Sequence, residues 1–353
     1  MGKIALVNIN FIDIENGIGY LNHTIEIDSE RIVSIYDSKQ RKPDSSFVCY
    51  DYSDCWAMPG MVDMHTHITM SPLLGEPPYY MHPEKILEAS HANLIELRRI
   101  GVTMCRDMGS YQYSTEWVKQ SLKNEANLPE IFSCGSVITY PLGHMCEYGF
   151  EIEDIKDIRR AISRNKNPGA DFIKIASDPK DAEAANRIPN PAFEFNAINS
   201  IVDVSNKNNM LVACHTYPSL EGVRRALRGK VRTIEHAVPL NAAMEKQYYP
   251  ETFYVPTFST ALDVCNISCL DNLKIVKNHN LLEYVKNSMP SSCPYDGSIP
   301  ESIEEWLHIL LDMLPLAIVS DQLLCTGSDA GCKGTDFQTL LREIMLMCAG
   351  CNK

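Results

Sequence analysis

From residue 58 onward, the chain repeats short apolar strands that are each followed by an amphipathic helix or a long loop. Strands of this kind can be read at residues 61–67, 102–107, 130–134, 171–175, 210–215, 232–236, 253–256 and 323–329. Nearly continuous apolar strands that alternate with helices are typical of parallel sheets covered on both faces. Eight repeats of this unit predict an α/β fold, the (β/α)₈ or TIM barrel, over residues 58–353.

Residues 1–57 have a different pattern and predict a small β-domain. An Asn-Gly pair at residues 16–17 is a turn signal between two of its strands. The segments that alternate between apolar and polar residues are 4–9, 23–27, 31–36 and 47–52. Their short length and their turn residues indicate a sheet that is separate from the repeats that follow.

The composition of the chain limits the kinds of molecule that it can bind. The formal net charge of −13 argues against sequence-independent binding to nucleic acid or to an anionic membrane surface. We find no long uncharged apolar run and no signal-peptide core, so we expect no membrane association. The thirteen cysteines are odd in number and scattered, which indicates reduced thiols and predicts a cytoplasmic protein. We expect its binding partner to be a small-molecule substrate.

Polar side chains stand where the predicted strands end. In a barrel of this class, the chemistry lies at the carboxyl ends of the strands. His65 and His67 would point to the same side of their strand, because residues i and i+2 share a face. Later strands end in His215, His236 and Asp329. Four histidines and a carboxylate suit a divalent transition metal such as Zn²⁺, Mn²⁺, Fe²⁺, Co²⁺ or Ni²⁺.

Lys174 stands near the end of the fourth predicted strand, residues 171–175. An ammonium group there would be repelled by two neighbouring dications. Such repulsion lowers the pKa of the amine. A neutral amine can react with CO₂ to form a carbamate, an anion whose two oxygens can bridge two metals. Two dications carry a charge of +4, and the carbamate, Asp329 and one hydroxide carry −3. The remaining positive charge would polarise a substrate carbonyl.

Several segments of the chain resemble those of the amidohydrolase superfamily. They are residues 59–67, 101–103, 169–174, 234–236 and 327–331. The resemblance is to the carboxylated-lysine binuclear branch, which includes prolidase-like dipeptidases and imidazolonepropionase-related enzymes. It implies a first divalent metal held by His65, His67, Lys174 and Asp329, and a second held by Lys174, His215 and His236. A hydroxide would lie between the two metals.

This chemistry predicts an enzyme that cleaves an amide or peptide bond in a small polar substrate, such as a dipeptide or an N-acyl amino acid. Asp329 would take the proton from the attacking hydroxide and deliver it to the leaving nitrogen. We expect two divalent cations, with Zn²⁺ favoured. Two alternatives remain open. The same hydroxide could attack a cyclic amide, an ester or a phosphotriester, or the chain could bind metal without turnover.

Loop residues near the strand ends are candidates for substrate contacts. His144 follows a glycine after the third strand, where relatives often have a Gly-His that touches the substrate. Tyr217 stands where many relatives have a second histidine, and Tyr140 is a further candidate. Arg106 and Asp107 resemble an Arg-Asp pair that lies behind the metal ligands in the family, so we expect neither of them to bind metal.

Relatives continue beyond the last helix with strands that complete the small β-domain, whereas this chain ends at Lys353. We therefore expect that the sheet of residues 4–57 is incomplete and exposes an apolar patch. Such a patch is an aggregation liability. A homo-oligomer or a second chain would cover it, and the alternative without turnover would follow from a shortened chain.

Overall fold

The computed structural model describes residues 2–72, 82–147, 149–178, 195–216, 220–237, 251–264, 323–332 and 334–350. The chain divides into two compact units, Met1–Gly60 and Met61–Lys353. The sequence also predicts helices at 152–163, 270–287 and 301–320, and the last two lie outside the described residues. Within the described ranges, every helix is too short or too polar to pass through a bilayer.

Unit 1 contains a five-stranded sheet. Its strands are β1 (Ile4–Asp13), β2 (Ile18–Asp28), β3 (Arg31–Asp37), β4 (Val48–Asp51) and β5 (Trp56–Ala57). The order is β3-β2-β1-β4, and β5 also pairs with β1. β2 is antiparallel to both of its neighbours, whereas β4 and β5 run parallel to β1.

One face of this sheet is apolar across all four main strands. Leu6 lies opposite Ile25 on one side and Tyr50 on the other, and Ile25 lies opposite Ile35. The outer members are solvent-accessible, with Ile35 44% and Tyr50 49% exposed. Further exposed apolar side chains in this unit are Ile12, Ile14, Ile18, Leu21, Ile32, Val33, Val48 and Trp56. Unit 1 therefore exposes many apolar side chains, while a single patch on the sheet and the oligomer or second chain that would cover it stay predictions.

Unit 2 is built from parallel strands and helices. The strands are β6 (Met61–Thr66), β7 (Val102–Asp107), β8 (Glu130–Ser133), β9 (Ile138–Thr139), β10 (Phe150–Glu151), β11 (Ile173–Ala176), β12 (Val212–His215), β13 (Thr233–Glu235) and β14 (Phe253–Val255). They form a three-stranded sheet in the order β6-β7-β8 and a six-stranded sheet in the order β10-β9-β11-β12-β13-β14. Every pairing between these strands is parallel.

Helices separate most of these strands along the chain. They are α1 (Pro83–Arg99), α2 (Ser114–Leu122), α3 (Ile158–Lys166), α4 (Phe195–Asn206), α5 (Leu220–Arg228), α6 (Phe258–Val264) and α7 (Leu340–Gly350). The helix α1 buries Leu94 and Leu97 completely. The strand β11 is buried on both sides, because Ile173, Lys174, Ile175 and Ala176 have no exposed surface. The predicted α/β class, with parallel strands and an N-terminal β unit, is confirmed.

Two predicted elements differ from the structure. Residues 323–329 do not form a regular strand but make isolated bridges, between Tyr254 and Leu324 and between Thr66 and Ala330. The backbone of Asp329 is left-handed, with a φ of 56°, so the extended conformation stops there. The helix predicted at 152–163 begins later, at Ile158, after a short 3₁₀ turn.

Candidate metal centre

β6 delivers two histidines to a buried position. His65 and His67 lie two residues apart at the end of this strand, with 0% and 3% of their surface exposed. Their ring centroids are 5.5 Å apart, so the two imidazoles face a common point. The alternation of side chains along an extended backbone produces this arrangement, as the sequence predicts.

Asp329 joins these histidines from the other end of unit 2. Its backbone N–H donates to the carbonyl of His65 at 2.8 Å. Its Oδ1 lies 3.2 Å from Nε2 of His65 and 3.4 Å from Nε2 of His67. Burial alone would raise the pKa of Asp329, but the neighbouring imidazoles hold it well below the usual range of a carboxyl group. These three side chains are therefore grouped as a candidate metal-binding triad.

The other ring nitrogen of each histidine faces an acceptor. Nδ1 of His65 donates to the Glu235 carboxylate at 2.8 Å, and Nδ1 of His67 donates to the Gly109 carbonyl at 3.2 Å. A neutral imidazole has one N–H, so its proton on Nδ1 leaves Nε2 as an acceptor. Two Nε2 lone pairs and one Asp329 oxygen then converge. Such a set of acceptors requires a cation or a proton between them, and it fits a divalent metal.

His215 and His236 extend the cluster. His215 is the last residue of β12 and His236 follows β13, so parallel pairing of these strands brings the two together. The ring centroid of His236 lies 4.7 Å from that of His65 and 4.5 Å from that of His215. Nδ1 of His236 and the hydroxyl of Thr257 are 2.7 Å apart. Burial, together with neighbouring positive groups, holds the pKa values of His215 and His236 well below those of ordinary histidines.

Lys174 lies in the middle of β11 and is fully buried. Its Nζ and the Nε2 of His215 have no hydrogen-bond partner among the residues that the structure describes. Burial lowers the pKa of Lys174, although the carboxylates of Glu235 and Asp329 act in the opposite direction. A buried amine without a hydrogen bond is costly. Lys174 and His215 therefore present two buried polar atoms without partners among the described residues, which fits a second metal.

The three residues predicted to contact substrate differ in where the structure places them. His144 stacks on His215, with ring centroids 4.1 Å apart and an interplanar angle of 14°. Its backbone N–H donates to the carbonyl of Asp178 at 2.8 Å. Tyr140 is buried, with 3% of its surface exposed. This burial, together with the nearby Asp178 carboxylate, raises the pKa of its phenol. Tyr217 lies outside the described residues. Of these three, His144 is the one that the structure brings into the histidine cluster.

Two further residues hold the cluster and were not predicted in these roles. Arg106 donates through Nη2 to Glu235 at 3.0 Å, and Glu235 in turn accepts from His65. Burial alone would raise the pKa of Glu235, but Arg106 and His65 hold it far below the usual range. Asp107 does not pair with Arg106 and instead accepts from the backbone of Ile68 at 2.8 Å. An acidic residue at the end of a short buried strand, directly before His236, was the available signal for Glu235.

Comparisons with known proteins agree with this geometry. A sequence model described as the amidohydrolase family matches residues 56–350. Curated relatives include uncharacterized proteins of Mycobacterium bovis and Mycobacterium tuberculosis, which are 22% identical over 185 residues, or 52% of this chain. The match spans only 45% of the length of each relative.

Solved structures share the fold over nearly the whole chain. A Xaa-Pro dipeptidase with bound methionine is 20% identical with a TM-score of 0.73, and covers 99% of this chain and 84% of its own. A prolidase complexed with N-methylphosphonate-L-proline is 22% identical with a TM-score of 0.69, and covers 95% and 80%. Ochratoxinase of A. niger is 16% identical with a TM-score of 0.69, and covers 93% and 76%. At these identities, the likeness is one of fold.

Proposed function

We propose that this chain, which belongs to the amidohydrolase family, is a metal-dependent hydrolase that cleaves a C–N bond in a small polar substrate. The observation that carries the proposal is the convergence of three acceptors, from His65, His67 and Asp329, in a buried position. A neutral core would not gather lone pairs in this way, because each one loses its hydrogen bonds to water. A cation between them removes that cost.

The donor set supports two divalent cations. His65, His67 and Asp329 would hold the first, and His215 and His236 would hold the second. Lys174, proposed to be carbamylated by CO₂, would contribute to both. We propose Zn²⁺ because imidazole nitrogen and carboxylate oxygen suit it, with Mn²⁺, Fe²⁺, Co²⁺ or Ni²⁺ as alternatives. When bound, such cations polarise a scissile carbonyl and lower the pKa of water.

The protein's own groups would move the proton and position the substrate. Asp329 is the proposed general base and acid, taking a proton from water and passing it to the leaving nitrogen. Its low pKa means that it starts the reaction ionised. His144 is the proposed substrate contact, since it stacks on His215 at the edge of the cluster. Tyr140 and Tyr217 stay predictions as substrate contacts.

We also propose that the strands of unit 2 close into a (β/α)₈ barrel. At one junction, the backbone N–H of Asp171 donates to the carbonyl of Ser133 at 2.7 Å, which links β8 to the segment before β11. At the other junction, residues 323–330 run between β14 and β6 and exchange backbone hydrogen bonds with both. These junctions support a continuous circuit of eight extended segments around the histidine cluster.

A dipeptide or an N-acyl amino acid is the proposed substrate class. The solved structures that share the fold include a Xaa-Pro dipeptidase and a prolidase, and this supports peptide-like substrates first. The experiment is a screen of dipeptides and N-acyl amino acids, with lactams, esters and phosphotriesters alongside, on protein of measured metal content. We expect about two equivalents of metal, and hydrolysis that chelation abolishes and added Zn²⁺ or Mn²⁺ restores.

The matched variants are Asp329→Asn and Asp336→Asn, which change an aspartate in the cluster and an exposed one seven residues later. We expect the first to lower kcat/KM by roughly 10³-fold or more and the second to leave it unchanged. Hydrolysis that survives chelation would overturn the proposal. Bound metal with no turnover on any substrate class would favour a binding protein instead.

A further inference from the structure

Unit 2 contains a cavity of about 580 Å³ at the end of the parallel strands opposite the histidines. We name it the strand-start cavity. Its apolar wall is formed by Met64, Met104, Phe132, Phe172, Leu211 and Phe253. Phe172, Leu211 and Phe253 lie at or directly before the first residues of their strands, and the other three lie within theirs. The metal-centre histidines lie at the carboxyl ends. The volume is in the range of small-molecule sites, roughly 300–1,000 Å³.

Arg106 gives this apolar cavity one strong hydrogen-bond donor. Its guanidinium lies over the ring of Phe172, 4.8 Å from the centroid. Nη2 donates to Glu235 at 3.0 Å and to the hydroxyl of Thr233 at 3.2 Å. Arg106 lines the cavity and keeps 13% of its side-chain surface exposed, so its guanidinium can meet an incoming acceptor there.

The other charged groups that line the cavity are already paired. Asp171 forms an ion pair with Lys119 and accepts from the backbone of Ser133 at 2.8 Å. Arg232 pairs with Glu251 at 3.0 Å. A ligand would therefore find apolar walls, the Arg106 guanidinium and the side-chain amide of Asn209. That combination selects a molecule that is mostly apolar and carries one anionic acceptor.

We propose that the strand-start cavity binds a small apolar carboxylate. Its hydrocarbon part would lie among side chains such as Met104, Phe132 and Phe253. Its carboxylate would accept from the partly exposed guanidinium of Arg106, on the side not occupied by Glu235. The proposal does not depend on the hydrolase activity, because none of its residues is a proposed metal ligand.

The test measures binding of octanoate by titration calorimetry, with n-octanol as the uncharged molecule of equal chain length. We expect saturable binding of octanoate and affinity for octanol that is lower by about tenfold, since a charge-assisted hydrogen bond is worth roughly 1.4 kcal/mol more than a neutral one. Equal affinities for the two probes, or no saturable binding of octanoate, would overturn the proposal.

Two pairs of variants locate the binding. Leu211 lines the cavity and is 54% exposed, so it tolerates a charge. Leu211→Glu should weaken octanoate binding by about tenfold through like-charge repulsion, whereas Leu211→Lys should retain it. Met104→Trp should fill the cavity and abolish binding, whereas Met104→Leu should preserve it. Circular dichroism verifies folding of each variant. Octanoate binding that is unchanged in both Leu211→Glu and Met104→Trp would contradict the proposed location.

Discussion

The two halves of the candidate metal centre differ in how the protein holds them. His65, His67 and Asp329 are fixed by hydrogen bonds to Glu235, to the Gly109 carbonyl and between backbone groups. On the other side, Lys174 Nζ and His215 Nε2 have no hydrogen-bond partner among the described residues. The first half is organised by the protein itself, whereas the second requires something further to satisfy it.

This contrast suggests different roles for the two halves. Ligands whose tautomer and orientation are set by neighbouring acceptors bind metal more tightly than free ligands do. Burial lowers the pKa of Lys174 and so favours its neutral form, which is the form of the amine that reacts with CO₂. We therefore expect the first metal to bind tightly to the preformed triad, and the second to depend on carbamylation of Lys174.

The largest effect should come from removing the group shared by both metals. Lys174→Met should abolish binding of the second metal and lower kcat/KM by about 10³-fold, because a lost Lewis acid is worth several kcal/mol. It should leave the first metal in place, since His65, His67 and Asp329 are held independently. Metal content by mass spectrometry and steady-state kinetics measure the two effects, with the exposed Lys156→Met as control. Simultaneous loss of both metals would show that the halves are not independent.

An intermediate effect should come from changing Glu235, whose hydrogen bond to His65 supports the first half of the metal centre. Glu235→Gln weakens the hydrogen bond to His65 and the ion pair with Arg106, so affinity for the first metal should fall by about 10- to 100-fold. Competition with a chelator of known affinity measures this change without any substrate. Glu26→Gln is the matched control, because Glu26 is a buried glutamate that pairs with Arg41 in unit 1. Unaltered metal affinity in Glu235→Gln would refute the proposed support.

The smallest effect should come from the link between β6 and the segment before Asp329. Asp63 accepts from the backbone N–H of Ser328 at 3.0 Å and also from its hydroxyl. Asp63→Ala should lower the free energy of unfolding by about 1–3 kcal/mol, because it leaves buried donors unpaired. Urea denaturation measures the change, and the exposed Asp54→Ala is the control. A midpoint unchanged from that of the parent chain would mean that this link contributes nothing.

Much of the fold and of the cluster could be predicted from local sequence. The pattern of apolar residues predicted the bounds of β7 correctly, because Val102–Asp107 is a short strand that ends in polar residues. His65, His67, Asp329, His215 and His236 were singled out because side chains at the ends of parallel strands converge. The cytoplasmic location and the domain boundary at residue 57 stay predictions.

The rest depends on long-range contacts that periodicity does not encode. The roles of Arg106 and Glu235 arise from a contact between β7 and β13, which are far apart in sequence. Stacking of His144 on His215 depends on the path of a loop. The segment before Asp329 looked like a strand because it is apolar, but its conformation is set by the left-handed backbone at the ligand itself.

The hydrogen bonds between Asp63 and Ser328 join residues that lie 265 positions apart. During translation at about 5–20 residues per second, roughly 13–53 s would pass between synthesis of the two segments. For that interval, His65 and His67 exist on the nascent chain without Asp329. We expect the two histidines alone to chelate weakly, so that binding of the first cation follows synthesis of the late segment. Binding of that cation would then report that the early and late parts of unit 2 have met.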